Sequence, residues 1–220
     1  MLKQWERYKI NLSMKKITIL LVSILFLQMN PAHSGNDITS LKRVFSKLIA
    51  GMGEKESDYT LEVVESEEIN AYATLGNKMV VNTALLKSIN SEAGLAFVLA
   101  HELGHIEHHH VHKSILVSAV SALFGNLFFK ADTTSSKIYN GASYFHNLSY
   151  SRGKEKDADL FAVTLVDKFY CKDPNKLEFF RRNSGVQKSG KLLEYFSTHP
   201  LTSTRLAYLD EAFTAEKCVF

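Results

Sequence analysis

The chain has 220 residues, 45% of them apolar and 22% charged, which excludes a disordered or fibrous polymer and leaves apolar mass for one self-sufficient core. Its formal net charge of +3 is a mild basic surplus, of the kind that attends nucleic-acid or membrane partners when it is clustered on a folded surface. The surplus sits at the N-terminus: residues 1–34 hold five basic residues (Lys3, Arg7, Lys9, Lys15, Lys16) against Glu6 alone, and without them the chain carries −1, which removes the support for nucleic-acid binding.

In chain order, residues 14–34 read as an export signal. Lys15 and Lys16 precede eleven uncharged residues, 17–27, and Pro31-Ala32-His33-Ser34 offers a small-x-small cleavage site. Eleven helical residues at 1.5 Å each are too short to span ~30 Å of hydrocarbon. The expected organisation is therefore a signal peptide over 1–34, with Met14 as an alternative start, and a single domain over 35–220. A retained N-terminal anchor helix is the competing reading. Export implies an oxidising compartment, where Cys171 and Cys218 can pair and close a loop worth ~4 kcal/mol in the chain-entropy model. Two unpaired buried thiols are the alternative.

Apolar residues at helical spacing predict a helix over 39–50, ending at Gly51. Residues 59–64, 69–74 and 78–83 read as strands, the last two flanking the hairpin signal Leu75-Gly76-Asn77. Ser91 is a helix N-cap with Glu92 in the first turn, opening a helix to about His112 that is apolar on most sides. Residues 114–129 carry no charge and read as a buried helix, with peripheral membrane association as the alternative. A charged amphipathic helix follows over 152–169, then two more near 175–183 and 202–212. The order gives an α+β class, mostly helical, with a small antiparallel sheet.

The chemistry concentrates in His101-Glu102-Leu103-Gly104-His105, an H-E-x-x-H motif. Spacing i, i+4 puts both imidazoles on one helical face, one turn apart, where they can share a zinc ion, and Glu102 is offset toward a water on that metal as a general base. A catalytic zinc takes a third protein ligand. Val111 stands where a histidine six residues on would make a metzincin, so a carboxylate is expected from Glu107, Asp132, Glu155, Asp157 or Asp159. Glu107 follows His105 too closely to turn back. Glu155 and Asp159, i and i+4, share a face, so Glu155 can bind metal while Asp159 orients a ligand histidine. A solvated charged helix end is the other reading of the same spacing. His108 and His112 continue the face of His101 and His105; an exposed helix end is favoured there over a second metal site.

Four runs resemble one family. They are Leu95 through His105; Asn70-Ala71-Tyr72-Ala73 with the hairpin and Val80-Val81-Asn82-Thr83; Ser151-Arg152 with Glu155-Lys156-Asp157-Ala158-Asp159; and Thr198-His199-Pro200-Leu201 with Arg205. In this order they resemble the zinc endopeptidases that include the CaaX prenyl protease, HtpX and the periplasmic proteases BepA and LoiP. The resemblance covers about residues 40–212 and implies a gluzincin-like metallopeptidase domain holding one zinc ion. It implies Glu155 as third ligand, Asp159 and Arg205 supporting the site, and His199 near the metal, either stabilising the transition state or holding the enzyme latent. It further implies substrate contacts at Asn70 and Ala71, with the strand over 78–83, if it edges the sheet, pairing with extended substrate. The implied partners are polypeptides, chiefly envelope proteins, in the periplasm, with outer-membrane association or secretion as alternatives. A latent or inactive metal-binding module with a chaperone-like role is the rival function. The chain departs from the family in lacking multiple membrane spans and a helical-repeat domain, and in carrying Phe161 where a glycine is usual.

Overall fold

A computed structural model describes residues 36–116, 150–184 and 193–215. Helix α1 (Ile38–Met52) begins where the Asp37 side chain accepts from the Ser40 N–H at 2.7 Å, buries Leu41, Val44, Phe45, Leu48 and Ile49 on one stripe, and stops at Gly53, whose φ of 82° is left-handed. Three short strands follow: β1 (Thr60–Val64), β2 (Ala71–Thr74) and β3 (Lys78–Asn82). The turn between β2 and β3 places Gly76 and Asn77 at φ 73° and 53°, as a tight hairpin requires.

The sheet order is β1-β3-β2, with β2 antiparallel to β3 but β1 parallel to it. The sheet is thus mixed, not antiparallel. The hairpin makes β2 and β3 antiparallel, whereas the connection after β1 runs past the place β3 later fills, so β1 and β3 align in the same sense. β3 is consequently the central strand, with both backbone edges engaged, and the expectation that it could pair with substrate is corrected. Among the described residues β1 and β2 are the outer strands.

Short helix α2 (Thr83–Ser88), not anticipated from the sequence, leads into α3 (Glu92–Glu107). Ser91 Oγ accepts from Gly94 N–H at 2.9 Å, and every residue from Ala93 to Ile106 is buried, so α3 runs through the middle of the core. It ends at Glu107, short of the expected His112, because His109 adopts φ 53°; residues 110–116 are helical again.

Helix α4 (Arg152–Tyr170) lies against α3 and buries Glu155, Ala158, Asp159, Ala162, Val163, Leu165 and Val166. Its apolar stripe therefore starts with two carboxylates. The helices touch backbone to backbone at Gly104: a Cβ there would stand 2.9 Å from Ala158 Cα. This glycine inside the H-E-x-x-H motif is what lets α4 bring its acids up to the two histidines.

Three further helices close the domain: α5 (Glu178–Asn183), α6 (Leu193–Thr198) and α7 (Ser203–Ala215). Phe97 of α3 meets Phe180 edge-on at 5.2 Å between ring centroids, and Phe179 meets Tyr195 at 5.8 Å, an aromatic cluster worth more than its buried area alone. The cluster fixes α6, and with it the segment carrying His199, over α3. No helix among the described residues is long and apolar enough to cross a membrane. The expected signal over 1–34, nearly all of the uncharged run 114–129, Asp132 and Cys218 lie outside the described residues.

Candidate active site

His101 and His105 project from one face of α3, and both are fully buried. Their Nε2 atoms are 3.1 Å apart. Glu155, from the first turn of α4, places Oε1 3.3 Å from His105 Nε2 and Oε2 3.5 Å from His101 Nε2. His199, just after α6, places Nδ1 3.2 Å from His101 Nε2 and 3.1 Å from Glu155 Oε1. The four donors lie within 4.8 Å of one another, the one such group among the described residues.

This donor set fits a metal. A tetrahedral ion about 2.0–2.1 Å from its nitrogen ligands spaces them roughly 3.3–3.4 Å apart, close to the separations found here. Ring nitrogens aimed at each other and at a carboxylate, all buried, would otherwise set lone pair against lone pair. The charges point the same way. Burial disfavours charge on His101, but Glu155 and Asp159 outweigh it and hold His101 up to about 9, whereas burial pushes His105 well below the ordinary imidazole value. Burial also raises Glu155, but the facing His199 and His101 outweigh it and hold the carboxyl well below the usual range. A charged Glu155 and a neutral His105 are the forms in which these groups ligate a cation.

Around these donors lies a second ring of contacts. Asp159 Oδ1 sits 2.9 Å from His101 Nδ1, on the side away from the cluster. Arg205 Nε and Nη2 donate to Asp159 Oδ2 and Oδ1, each at 2.7 Å, and Arg205 Nη1 lies 2.8 Å from Glu155 Oε2. Arg205 also donates to the His199 carbonyl at 3.2 Å. Tyr208 adds a hydrogen bond to Asp159 Oδ2. Burial works against the charge of Asp159, but the Arg205 guanidinium overrides it and keeps the carboxyl down at about 2.

Glu102 points to the sheet side. Its Oε2 accepts the Ala73 N–H of edge strand β2 at 3.1 Å, and its Oε1 faces His199 Nε2 at 3.4 Å. Full burial raises its pKa above the ordinary glutamate value.

A model of peptidase family M48 matches residues 36–213. The chain belongs to peptidase family M48. The mitochondrial metalloendopeptidase OMA1 of Schizosaccharomyces pombe is 29% identical over 174 residues, covering 78% of this chain and 51% of its own. The putative beta-barrel assembly-enhancing protease of Vibrio cholerae is 27% identical over 173 residues, covering 73% of this chain and 36% of its own. The human metalloendopeptidase OMA1 is 28% identical over 177 residues, covering 72% of this chain and 33% of its own. The chain therefore spans between a third and half of these M48 relatives.

The remaining sequence candidates are placed as follows. Asn70 and Ala71 are both fully buried; the Asn70 carbonyl accepts from Asn82 N–H at 3.0 Å, and its side-chain amide makes no hydrogen bond among the described residues. Glu107 Oε1 accepts from Tyr59 Oη at 2.5 Å, away from the cluster, and the side chain of Asp157 is 60% exposed. His108 and His112 are exposed. The sequence reading passed over two side chains of this M48 site, Tyr150 and Tyr195, and took a third, His110, with its neighbours His108, His109 and His112 for an exposed helix end, which is corrected because His110 is buried. Tyr150 stacks on His105 with centroids 4.0 Å apart, Tyr195 stacks under His199 at 4.8 Å, and His110 meets His105. None of them stands at a motif spacing that would have marked it. A cavity of about 540 Å³, lined among others by Tyr150, Arg152, Lys156 and Tyr208, reaches Glu155 and Arg205.

Proposed function

We propose that the chain is a zinc-dependent endopeptidase acting on extended or misfolded polypeptides. The observation that carries this reading is the convergence of His101, His105 and Glu155 beside a buried Glu102. These three residues would hold the zinc, with His199 as a fourth donor or as a partner of the substrate. A bound zinc supplies Lewis acidity, polarising the scissile carbonyl and bringing a water toward neutral pKa. The protein's own part is to hold and move a proton: Glu102, its basicity raised by burial, takes the water's proton on a carboxylate oxygen and passes it to the leaving amine. The Ala73 N–H holds that carboxylate in place, while Asp159 and Arg205 orient His101 and brace Glu155. The cavity beside Glu155 offers room for an extended chain, whereas Asn70 and Ala71, both fully buried, would act on substrate only through the backbone at the start of β2.

The export-type segment over 1–34 supports a periplasmic address, with secretion as the alternative, and a Cys171–Cys218 disulfide accords with either. Envelope proteins are then the substrate class, in keeping with the name of the beta-barrel assembly-enhancing protease it resembles. A second reading rests on His199. Four protein donors close a metal site, whereas catalytic zinc keeps a position open. His199 would then hold the chain latent, or make it a chaperone-like binding module.

One experiment separates the two. Wild type and His199→Ala are loaded with one equivalent of zinc and assayed on unfolded casein, then stripped with chelator and reloaded. Zinc-dependent hydrolysis by either form is the expected result. Two inert proteins, both fully loaded, would contradict peptidase activity and favour the binding module.

A further inference from the structure

His110 is held in the core by an unusual piece of backbone. Helix α3 ends at Glu107, residues 108 and 109 form a turn, and helical backbone resumes at His110. In an unbroken helix a residue five positions on is rotated by roughly 140° about the axis, so His110 would face away from His105. The left-handed His109, at φ 53°, changes the phase. That conformation is disfavoured for a residue with a Cβ, so something must hold it. His108, His109 and His112 are exposed, but His110 is 2% exposed, and its Nδ1 lies 2.9 Å from His105 Nδ1. Lys154 of α4 donates to the His110 carbonyl at 3.4 Å and to Ser114 Oγ at 2.7 Å, tying the turn down.

Two ring nitrogens at this distance hydrogen-bond only when one carries the proton and the other is bare. His105 aims Nε2 at the donor cluster, 3.1 Å from His101 Nε2. A nitrogen that offers its lone pair to a cation is bare, so the proton of neutral His105 resides on Nδ1. With His105 holding a metal through Nε2, that proton is donated to His110 Nδ1, which leaves the proton of neutral His110 on Nε2, facing Asp157 Oδ2 at 3.8 Å. Tyr150 sets the plane of the His105 ring by stacking, but a stack does not choose between tautomers.

We propose that His110 is a positioning residue for the metal centre: it accepts the Nδ1 proton of His105 and so fixes the tautomer and ring orientation that turn Nε2 toward the metal. The proposal rests on the metal reading above. His110 does for His105 what Asp159 does for His101, and the left-handed His109 is the device that aims it.

The test is zinc affinity, measured by chelator competition on the full chain. His110→Phe keeps a buried ring without an acceptor, and His110→Asn puts an amide oxygen near the former Nδ1. The Phe variant is expected to bind zinc about 10- to 100-fold more weakly, with the Asn variant recovering most of the loss. The visible spectrum of cobalt-loaded protein should shift in the Phe variant, while the two variants melt alike after chelator treatment. Equal zinc affinity of wild type and the Phe variant overturns the proposal, as does an Asn variant as weak as the Phe one. Should the Phe variant fail to fold, imidazole 15N shifts of zinc-loaded wild type decide: His105 protonated at Nδ1 is expected, and protonation at Nε2 overturns it. A wild type that takes up no zinc removes the metal reading itself, and a wild type that binds zinc irrespective of His110 removes only this proposal.

Discussion

Glu102→Gln is expected to leave zinc uptake intact and to lower kcat/KM on casein by about 10²- to 10⁴-fold, the range lost with a general base. The substitution is nearly isosteric, and its amide oxygen can still accept the Ala73 N–H that Oε2 accepts at 3.1 Å. Glu102 is not among the four converging donors, so the metal has no reason to leave. What the amide cannot do is take a proton. Burial makes this carboxylate more basic than an exposed one, and that is the property the variant removes. Zinc content and hydrolysis measured on the same preparation check the result. Undiminished cleavage would show that the proton goes elsewhere.

The largest effect on stability is expected from Arg205→Met. Arg205 is 3% exposed and bridges two buried carboxylates, donating twice to Asp159 and lying 2.8 Å from Glu155. Methionine preserves much of the stem's packing but removes the guanidinium that both acids share, and breaking a buried pair in this way typically costs about 3–5 kcal/mol. Tyr208→Phe removes one neutral donor from the same Asp159 and serves as the control, at about 1 kcal/mol. Urea unfolding of chelator-treated protein compares the two without the offset a bound cation would give. A loss for Arg205→Met no larger than for Tyr208→Phe would mean that the carboxylates are satisfied without the guanidinium.

Much of the active helix was legible because its information is local. H-E-x-x-H at i, i+4 on a capped helix needs only helical periodicity to place two imidazoles together, and Glu155 with Asp159 follows the same arithmetic on a second helix. That those two faces meet is a tertiary fact, permitted by Gly104 against Ala158. His199 and Arg205 sit on α6–α7 and its connection, where no period operates, and only the family resemblance pointed to them. The sheet was read strand by strand, yet its mixed order was not. Strand pattern says which residues are extended but not which neighbour they choose, so whether β3 was an edge stayed open until β1 was seen to cover it. His110 was misplaced on an exposed helix end for a different reason. Its inward aim depends on one left-handed backbone angle at His109, a histidine with no glycine-like signature.

The proposed zinc site draws its imidazole and carboxylate donors from α3, α4 and the segment before α7. X-ray absorption at the zinc edge, on protein loaded with one equivalent, tests it most directly. Stoichiometric zinc with only nitrogen and oxygen neighbours is expected, with a scattering pattern of two or three imidazoles that is lost in His101→Ala. A sulfur shell, or zinc retained unchanged in His101→Ala, would contradict it.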